Sequence, residues 1–141
     1  MDTSENIWKL CGRLCVSEST EHKEVVAWFR SQYPEYARSL RVSQSGRRSG
    51  SSKRAAMAWA AQVAHGAVLG EADIAILLPR GPYGCLMMEY KASDSMYQPT
   101  QLQRDYIDYH NEVGNLGLIC RGVDIAKAAI KQFMELPDEA G

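Results

Sequence analysis

The sequence predicts an α/β fold in which α-helices flank a mixed central β-sheet. Helical and extended patterns alternate along the chain in the order helix, strand, helix, two strands, helix, strand, helix. Two of the apolar runs are joined by a short Pro- and Gly-rich segment, which is typical of an antiparallel hairpin. The last strand follows a helical crossover, so we expect it to lie parallel to the strand before that helix.

The size and composition of the chain fit one domain with one core. It has 141 residues, of which 45% are apolar and 23% charged, as in ordinary globular proteins. We therefore treat residues 1–141 as a single domain. No apolar run approaches the roughly 20 residues of a membrane span, and the start lacks the order of a signal peptide. Four scattered cysteines fit reduced thiols, so we expect a cytoplasmic protein that does not bind membranes.

The first half of the chain is predicted to form a helix, a strand and a helix. Residues 18–33 place apolar side chains on one helical stripe, and Pro34 ends the pattern. Residues 40–44 are a short strand candidate, followed by a Gly- and Ser-rich loop. Residues 53–65 are rich in alanine and predict a second helix that stops at a glycine.

The second half is predicted to form a hairpin, a helix, a strand and a last helix. Residues 73–78 and 85–91 are apolar runs of strand length. The next helix begins at residue 100, and its apolar residues at helical spacing are Leu102, Tyr106, Tyr109 and Val113. Residues 116–120 form the last extended run, and Asp124 is the expected cap of the final helix.

Three charged residues lie at the open end of the predicted hairpin, where the first strand begins and the second strand ends. Alternation in a strand places Glu89 and Lys91 on one face, about 7 Å apart. In a hairpin centred on Gly81, Asp73 lies directly across from Glu89, with the strands about 4.8 Å apart. The register therefore predicts two carboxylates and one ammonium group in one cluster.

Such a cluster is suited to hydrolysing a phosphodiester. Two close carboxylates repel each other unless a cation intervenes, and Mg²⁺ is typically held by one or two carboxylates with several waters retained. A neighbouring lysine can orient or deprotonate a water bound to the ion. The alternative from spacing alone is a solvated strand edge on which Glu89 and Lys91 pair weakly.

Basic residues are concentrated in one interval, although the net charge is −1. No acidic residue lies between Glu35 and Glu71. Local clusters of this kind, rather than net charge, make phosphate contacts, although basic loops are also common as plain solvated surface. The basic residues of the interval are Arg38, Arg41, Arg47, Arg48, Lys53 and Arg54.

The pattern of Asp73, Glu89 and Lys91 resembles that of the VRR-NUC family of the PD-(D/E)xK nuclease superfamily. The resemblance extends over about residues 17–134. MEYK matches the Glu-x-Lys strand of the family, and HGAVLGEADI resembles its glycine-rich approach to the Asp. Thr100 and Gln103 match a Thr-x-x-Gln at the start of the next helix, and SESTEHKEVVAWF offers an early helical Glu followed by Trp28. Ala72 stands where the family has a proline.

The resemblance implies a restriction-endonuclease-like core and a role for each matching residue. Asp73, Glu89 and the backbone carbonyl of Tyr90 would hold Mg²⁺ or Mn²⁺, and Lys91 would position the attacking water or stabilise the developing charge. Gln103 would orient Lys91 or contact the scissile phosphate. One early Glu would reach the metal through water, and it is Glu18 by its distance from Trp28 or else Glu21 by its place inside the helix. Gln103 is also explained as the closing residue of a helix capping box.

The resemblance also implies the partners. Branched DNA would be the substrate, contacted by Arg47, Arg48, Lys53 and Arg54, and no small-molecule cofactor is expected. Stand-alone relatives resemble Holliday junction resolvases that act as homodimers in bacterial or phage-infected cells. The alternatives are a monomeric flap or nicking endonuclease, a catalytically silent DNA-binding module, and an interaction protein with no nucleic-acid role. The apolar residues of the last helix are assigned to either the core or an interface: Ile125, Ala129, Phe133 and Met134.

Overall fold

The computed structural model describes residues 18–43, 53–68, 70–92 and 98–138. These residues form a four-stranded sheet in the order β1-β2-β3-β4 with helices on both faces, which confirms the predicted α/β class. Within these ranges no helix is long and apolar enough to cross a bilayer. In chain order the elements are α1 (Glu18–Gln32), a 3₁₀-helix (Pro34–Ser39), β1 (Leu40–Val42), α2 (Lys53–Ala64), β2 (Ile74–Ile76), β3 (Leu86–Lys91), α3 (Gln101–Glu112), β4 (Leu116–Arg121) and α4 (Val123–Met134).

The sheet is mixed, as the sequence predicts. β1 pairs with β2 and β2 with β3 in antiparallel fashion, whereas β3 and β4 are parallel. The chain passes from β3 to β4 through α3, because parallel neighbours need a crossover. The 3₁₀-helix before β1 was not predicted by the sequence pattern.

Side chains alternate along β3 between the two faces of the sheet. Leu86, Met88 and Tyr90 are fully buried in the main core, together with Val25 and Phe29 of α1 and residues of α4. Met87, Glu89 and Lys91 project from the opposite face, which α3 covers. The candidate catalytic residues of β3 thus lie on the α3 face, away from the main core.

The helical prediction for α3 is right, but the face that packs on the sheet differs from the predicted stripe. Leu102, Tyr109 and Val113 are 52%, 57% and 53% exposed, and Ile107 is the buried residue of the helix. Gly117 of β4 explains the difference, because a Cβ at that position would lie 2.7 Å from the Ile107 carbonyl oxygen. The missing side chain lets the helix backbone approach the sheet at Ile107.

The final helix begins differently from the prediction. Gly122, with φ of 93°, is the N-cap, and Asp124 lies inside the first turn, where its charge complements the helix dipole. The structure assigns to the core the four apolar residues of α4 that the sequence left between core and interface, because all four are buried: Ile125, Ala129, Phe133 and Met134.

Candidate active site

The hairpin register brings the two predicted carboxylates together. Ile74 pairs with Met88 and Ile76 with Leu86, so the same register, centred on Gly81, places Asp73 opposite Glu89. One carboxylate oxygen of Asp73, Oδ2, accepts a hydrogen bond of 3.0 Å from the backbone N–H of Tyr90. The Asp73 side chain is therefore held against the end of β3.

The same hydrogen bond locates the backbone carbonyl of Tyr90. In a strand, the N–H and C=O of one residue point toward the same neighbouring strand. Because the Tyr90 N–H points toward Asp73, its carbonyl oxygen lies on the Asp73 side of β3 as well. Three oxygen donors, from Asp73, Glu89 and Tyr90, thus occur at one end of the sheet.

Glu89 is almost fully buried, at 1% exposure, and polar groups compensate its charge. Its Oε1 atom accepts a hydrogen bond of 2.8 Å from Gln103 Nε2 and lies 3.7 Å from Lys91 Nζ. The Lys91 side chain is 13% exposed. Burying a carboxylate is tolerated only with such partners, so Glu89, Lys91 and Gln103 form one electrostatic unit.

Gln103 forms the predicted capping box and also reaches Glu89, whereas its role in the reaction stays a prediction. Its Oε1 atom accepts the Thr100 N–H at 2.9 Å, and the Thr100 hydroxyl accepts the Gln103 N–H at 3.2 Å, which completes a capping box. The amide nitrogen of the same side chain donates to Glu89. The cap therefore sets the orientation of the amide that reaches the site.

Gly70 connects the loop before Asp73 to the start of α3. Its φ is +76°, and a Cβ there would lie 2.6 Å from the backbone carbonyl atoms of Leu102 and 2.9 Å from the Gln103 nitrogen. Only glycine allows this approach without strain. The glycine-rich segment thus positions the helix that carries Gln103.

Glu21, one of the two early helical candidates, contacts the Tyr90 side chain on the face opposite this cluster. Glu21 is 2% exposed, and its Oε1 atom accepts a hydrogen bond of 2.6 Å from the Tyr90 hydroxyl. The His22 ring contacts the Tyr90 ring edge-on at 5.8 Å. The Tyr90 side chain projects from the face opposite Glu89. Glu18 is the first residue of α1, and its side chain lies outside what the structure describes. A role for either carboxylate in the reaction stays a prediction.

Arg121 is a residue of this region that the sequence analysis did not single out. It pairs with Lys91 across β3 and β4 and is 9% exposed. Paired residues of neighbouring strands share a face, so its side chain leaves the sheet beside that of Lys91. The available signal was an arginine that ends the apolar run LGLIC, as Lys91 ends its own run.

The predicted DNA-contacting residues are described only in part. Lys53 and Arg54 are exposed in the first turn of α2, whereas Arg47 and Arg48 lie outside the described residues. Of the four cysteines in the sequence, Cys11 and Cys15 lie outside the described residues as well. The described thiols, Cys85 and Cys120, are free and buried.

The donor set of the site fits Mg²⁺ or Mn²⁺. In the described part of the chain, no three His, Cys, Asp or Glu side chains are grouped to hold a metal ion by themselves. Mg²⁺ typically uses one or two carboxylates and keeps several waters. Two carboxylates and a backbone carbonyl are oxygen ligands of this kind, whereas zinc sites favour sulfur and nitrogen.

Comparison with known proteins identifies the fold. Neither a family model nor a curated protein matches the sequence. A solved structure described as "VRR_NUC domain protein" matches with a TM-score of 0.73 and 21% sequence identity, covering 87% of this chain and 92% of that chain. The described residues thus form an α/β structure with a mixed four-stranded sheet, and the fold is that of a VRR-NUC domain.

Proposed function

We propose that the protein is a metal-dependent DNA endonuclease that hydrolyses phosphodiester bonds. The observation that carries the proposal is the Glu89 cluster, in which Lys91 and Gln103 converge on one buried carboxylate with Asp73 opposite. The VRR-NUC fold supports it, because the similar structure carries the name of a nuclease domain. The four residues also match the motifs of the nuclease family that the sequence resembles.

In this proposal Asp73, Glu89 and the Tyr90 carbonyl hold Mg²⁺ or Mn²⁺. When bound, the ion lowers the pKa of water and neutralises charge on the phosphate. The Lys91 ammonium group has three donors, with which it orients the attacking water or stabilises charge that develops on the phosphate. Gln103 keeps the Glu89 carboxylate in one orientation.

The proposed substrate is branched DNA, and the proposed form is a homodimer that resolves Holliday junctions. Symmetric cuts in two strands need two sites related by a twofold axis. The basic side chains at the start of α2, Lys53 and Arg54, are exposed and support contacts to the DNA backbone without base readout. A flap or nicking endonuclease that acts as a monomer is the second candidate, and the oligomeric state in solution separates the two.

The test is incubation of the purified protein with labelled four-way junction, flap and linear duplex DNA in Mg²⁺, Mn²⁺ or EDTA. Lys91→Ala is compared with Lys131→Ala, which removes an exposed lysine from α4. We expect metal-dependent cutting by the wild type and Lys131→Ala, and DNA binding without cutting by Lys91→Ala. Binding without cutting by all three proteins would instead favour a silent DNA-binding module, and the absence of both would refute a nucleic-acid role.

A further inference from the structure

A cavity of about 520 Å³ opens on the α3 face of the sheet, next to the candidate active site. We call it the Tyr106 pocket. Ala75 of β2 and Met87 of β3 line it from the sheet, and Tyr106 lines it from α3. The polar residues around it are Arg41, Ser43, Gln62, His65 and Glu71.

The pocket and the active site are contiguous along two elements. The Ala75–Met87 pair lies two residues along the hairpin from the Asp73–Glu89 position, which is about 7 Å at the rise of a strand. On the helix, Tyr106 follows the site residue Gln103 by three positions, or about 4.5 Å along the axis. Both residue pairs share a face. The pocket thus lies about 7 Å from the carboxylate position, close enough to be reached by a nucleotide next to a phosphate bound there.

The walls of the pocket suit an aromatic base better than a phosphate. Tyr106 offers a ring, and its hydroxyl lies 3.9 Å from the Met87 sulfur, so the two form one apolar and polarisable wall. Elsewhere in the lining, the Ser43 hydroxyl donates to Glu71 Oε1 at 2.7 Å. Arg41 and Glu71 place opposite charges in the same lining, so the pocket has no net charge that favours a phosphate, whereas carboxylate, hydroxyl and amide groups all match the edges of a base.

We propose that the Tyr106 pocket receives the base of an unpaired nucleotide next to the scissile phosphate. The volume lies within the range of about 300–1,000 Å³ that small-molecule sites occupy, and stacking on aromatic side chains is the general mode of binding to single-stranded nucleic acid. This proposal rests on the nuclease function proposed above. On this proposal the protein prefers DNA with an unpaired nucleotide beside the cut. The reason is that moving a base out of a stack costs least free energy when the base is already unpaired.

The variants that test the pocket are Tyr106→Ala and a matched control, Tyr109→Ala. Tyr109 lies on the same helix and is 57% exposed, so its removal tests the general effect of losing a tyrosine from α3. Ala75→Leu fills the pocket from the sheet and serves as a second test that leaves Tyr106 in place. Thermal unfolding of each variant shows which of them are folded.

The first measurement is cleavage of two substrates that differ only in whether the nucleotide next to the mapped cut is paired. We expect wild type and Tyr109→Ala to prefer the unpaired substrate in kcat/KM. Tyr106→Ala and Ala75→Leu should lose about tenfold of that preference, the order of one stacking interaction. The second measurement uses DNA with 2-aminopurine as the unpaired base and the Lys91→Ala protein, which should bind without cutting. We expect binding to quench the 2-aminopurine fluorescence. The double variant Lys91→Ala/Tyr106→Ala should not quench it.

The two proposals fail in different ways. If the wild type cuts DNA but every folded pocket variant keeps the wild-type preference and quenching, the pocket proposal is wrong and the nuclease function stands. If the wild type cuts no substrate in either metal, the proposed function fails, and the pocket proposal fails with it.

Discussion

The buried hydrogen bond between Tyr90 and Glu21 leads to a prediction about the early helical carboxylate. Tyr90→Phe removes the hydroxyl that donates to Glu21 over 2.6 Å, in a region where the two residues are 0% and 2% exposed. A hydrogen bond to a charged group contributes about 1.5–3 kcal/mol. We therefore expect a loss of about 2 kcal/mol in the free energy of unfolding, or roughly 8 °C in Tm at about 4 °C per kcal/mol for a chain of this size.

The companion variant, Glu21→Gln, keeps an oxygen acceptor for the Tyr90 hydroxyl and removes only the charge. We expect its free energy of unfolding to fall by less than half as much as that of Tyr90→Phe. The assay is urea unfolding followed by circular dichroism, with Tyr109→Phe as the control on an exposed tyrosine. A Tyr90→Phe protein within about 0.5 kcal/mol of the wild type, the usual range for surface substitutions, would refute the reasoning.

DNA cleavage by the same variants separates two roles for Glu21. If this carboxylate acts by positioning the end of β3 through Tyr90, cleavage falls in Tyr90→Phe and is retained in Glu21→Gln. If it acts on the metal through water, as the family resemblance implies, Glu21→Gln is stable and inactive. Because the Tyr90 hydroxyl donates to Glu21 in the structure, we expect the first pattern.

Three further predictions concern the helix that carries Gln103, the loop before it, and a buried thiol. Gln103→Glu keeps the capping acceptor but sets a second carboxylate against Glu89, so cleavage should fall at least tenfold with helix content unchanged by circular dichroism. Gly70→Ala places a Cβ against Leu102 at a φ of +76°, and it should lower the free energy of unfolding by about 2 kcal/mol or more in urea; wild-type stability would contradict the close approach. Burial raises the pKa of the Cys120 thiol to about 12, whereas the unfolded thiol ionises near 8.5. The folded state therefore holds the proton longer, and this thiol lowers stability as pH rises above about 9; site-resolved alkylation at pH 8 should be slow in the native protein and fast in urea.

Local periodicity was enough to predict the α-helices, the strands and one part of the site. A strand alternates every two residues, so a hairpin centred on Gly81 leaves one register in which the apolar side chains share a face, and that register sets Asp73 opposite Glu89. The Thr-x-x-Gln motif likewise determined the cap at Gln103, because a capping box involves only neighbours in the chain.

The arrangement of the elements decided the rest. Glu21 and Tyr90 are 69 positions apart, and nothing in either segment indicates that they meet. The buried face of α3 depended on Gly117 in the following strand. Arg121 came to lie beside Lys91 only through the parallel pairing of β3 with β4, and the Tyr106 pocket needed the sheet and α3 to be in place. Sequence patterns determine which side chains share a face of one element, because that depends on the backbone period. Which faces meet depends on how the elements pack, and that is settled by contacts between distant residues.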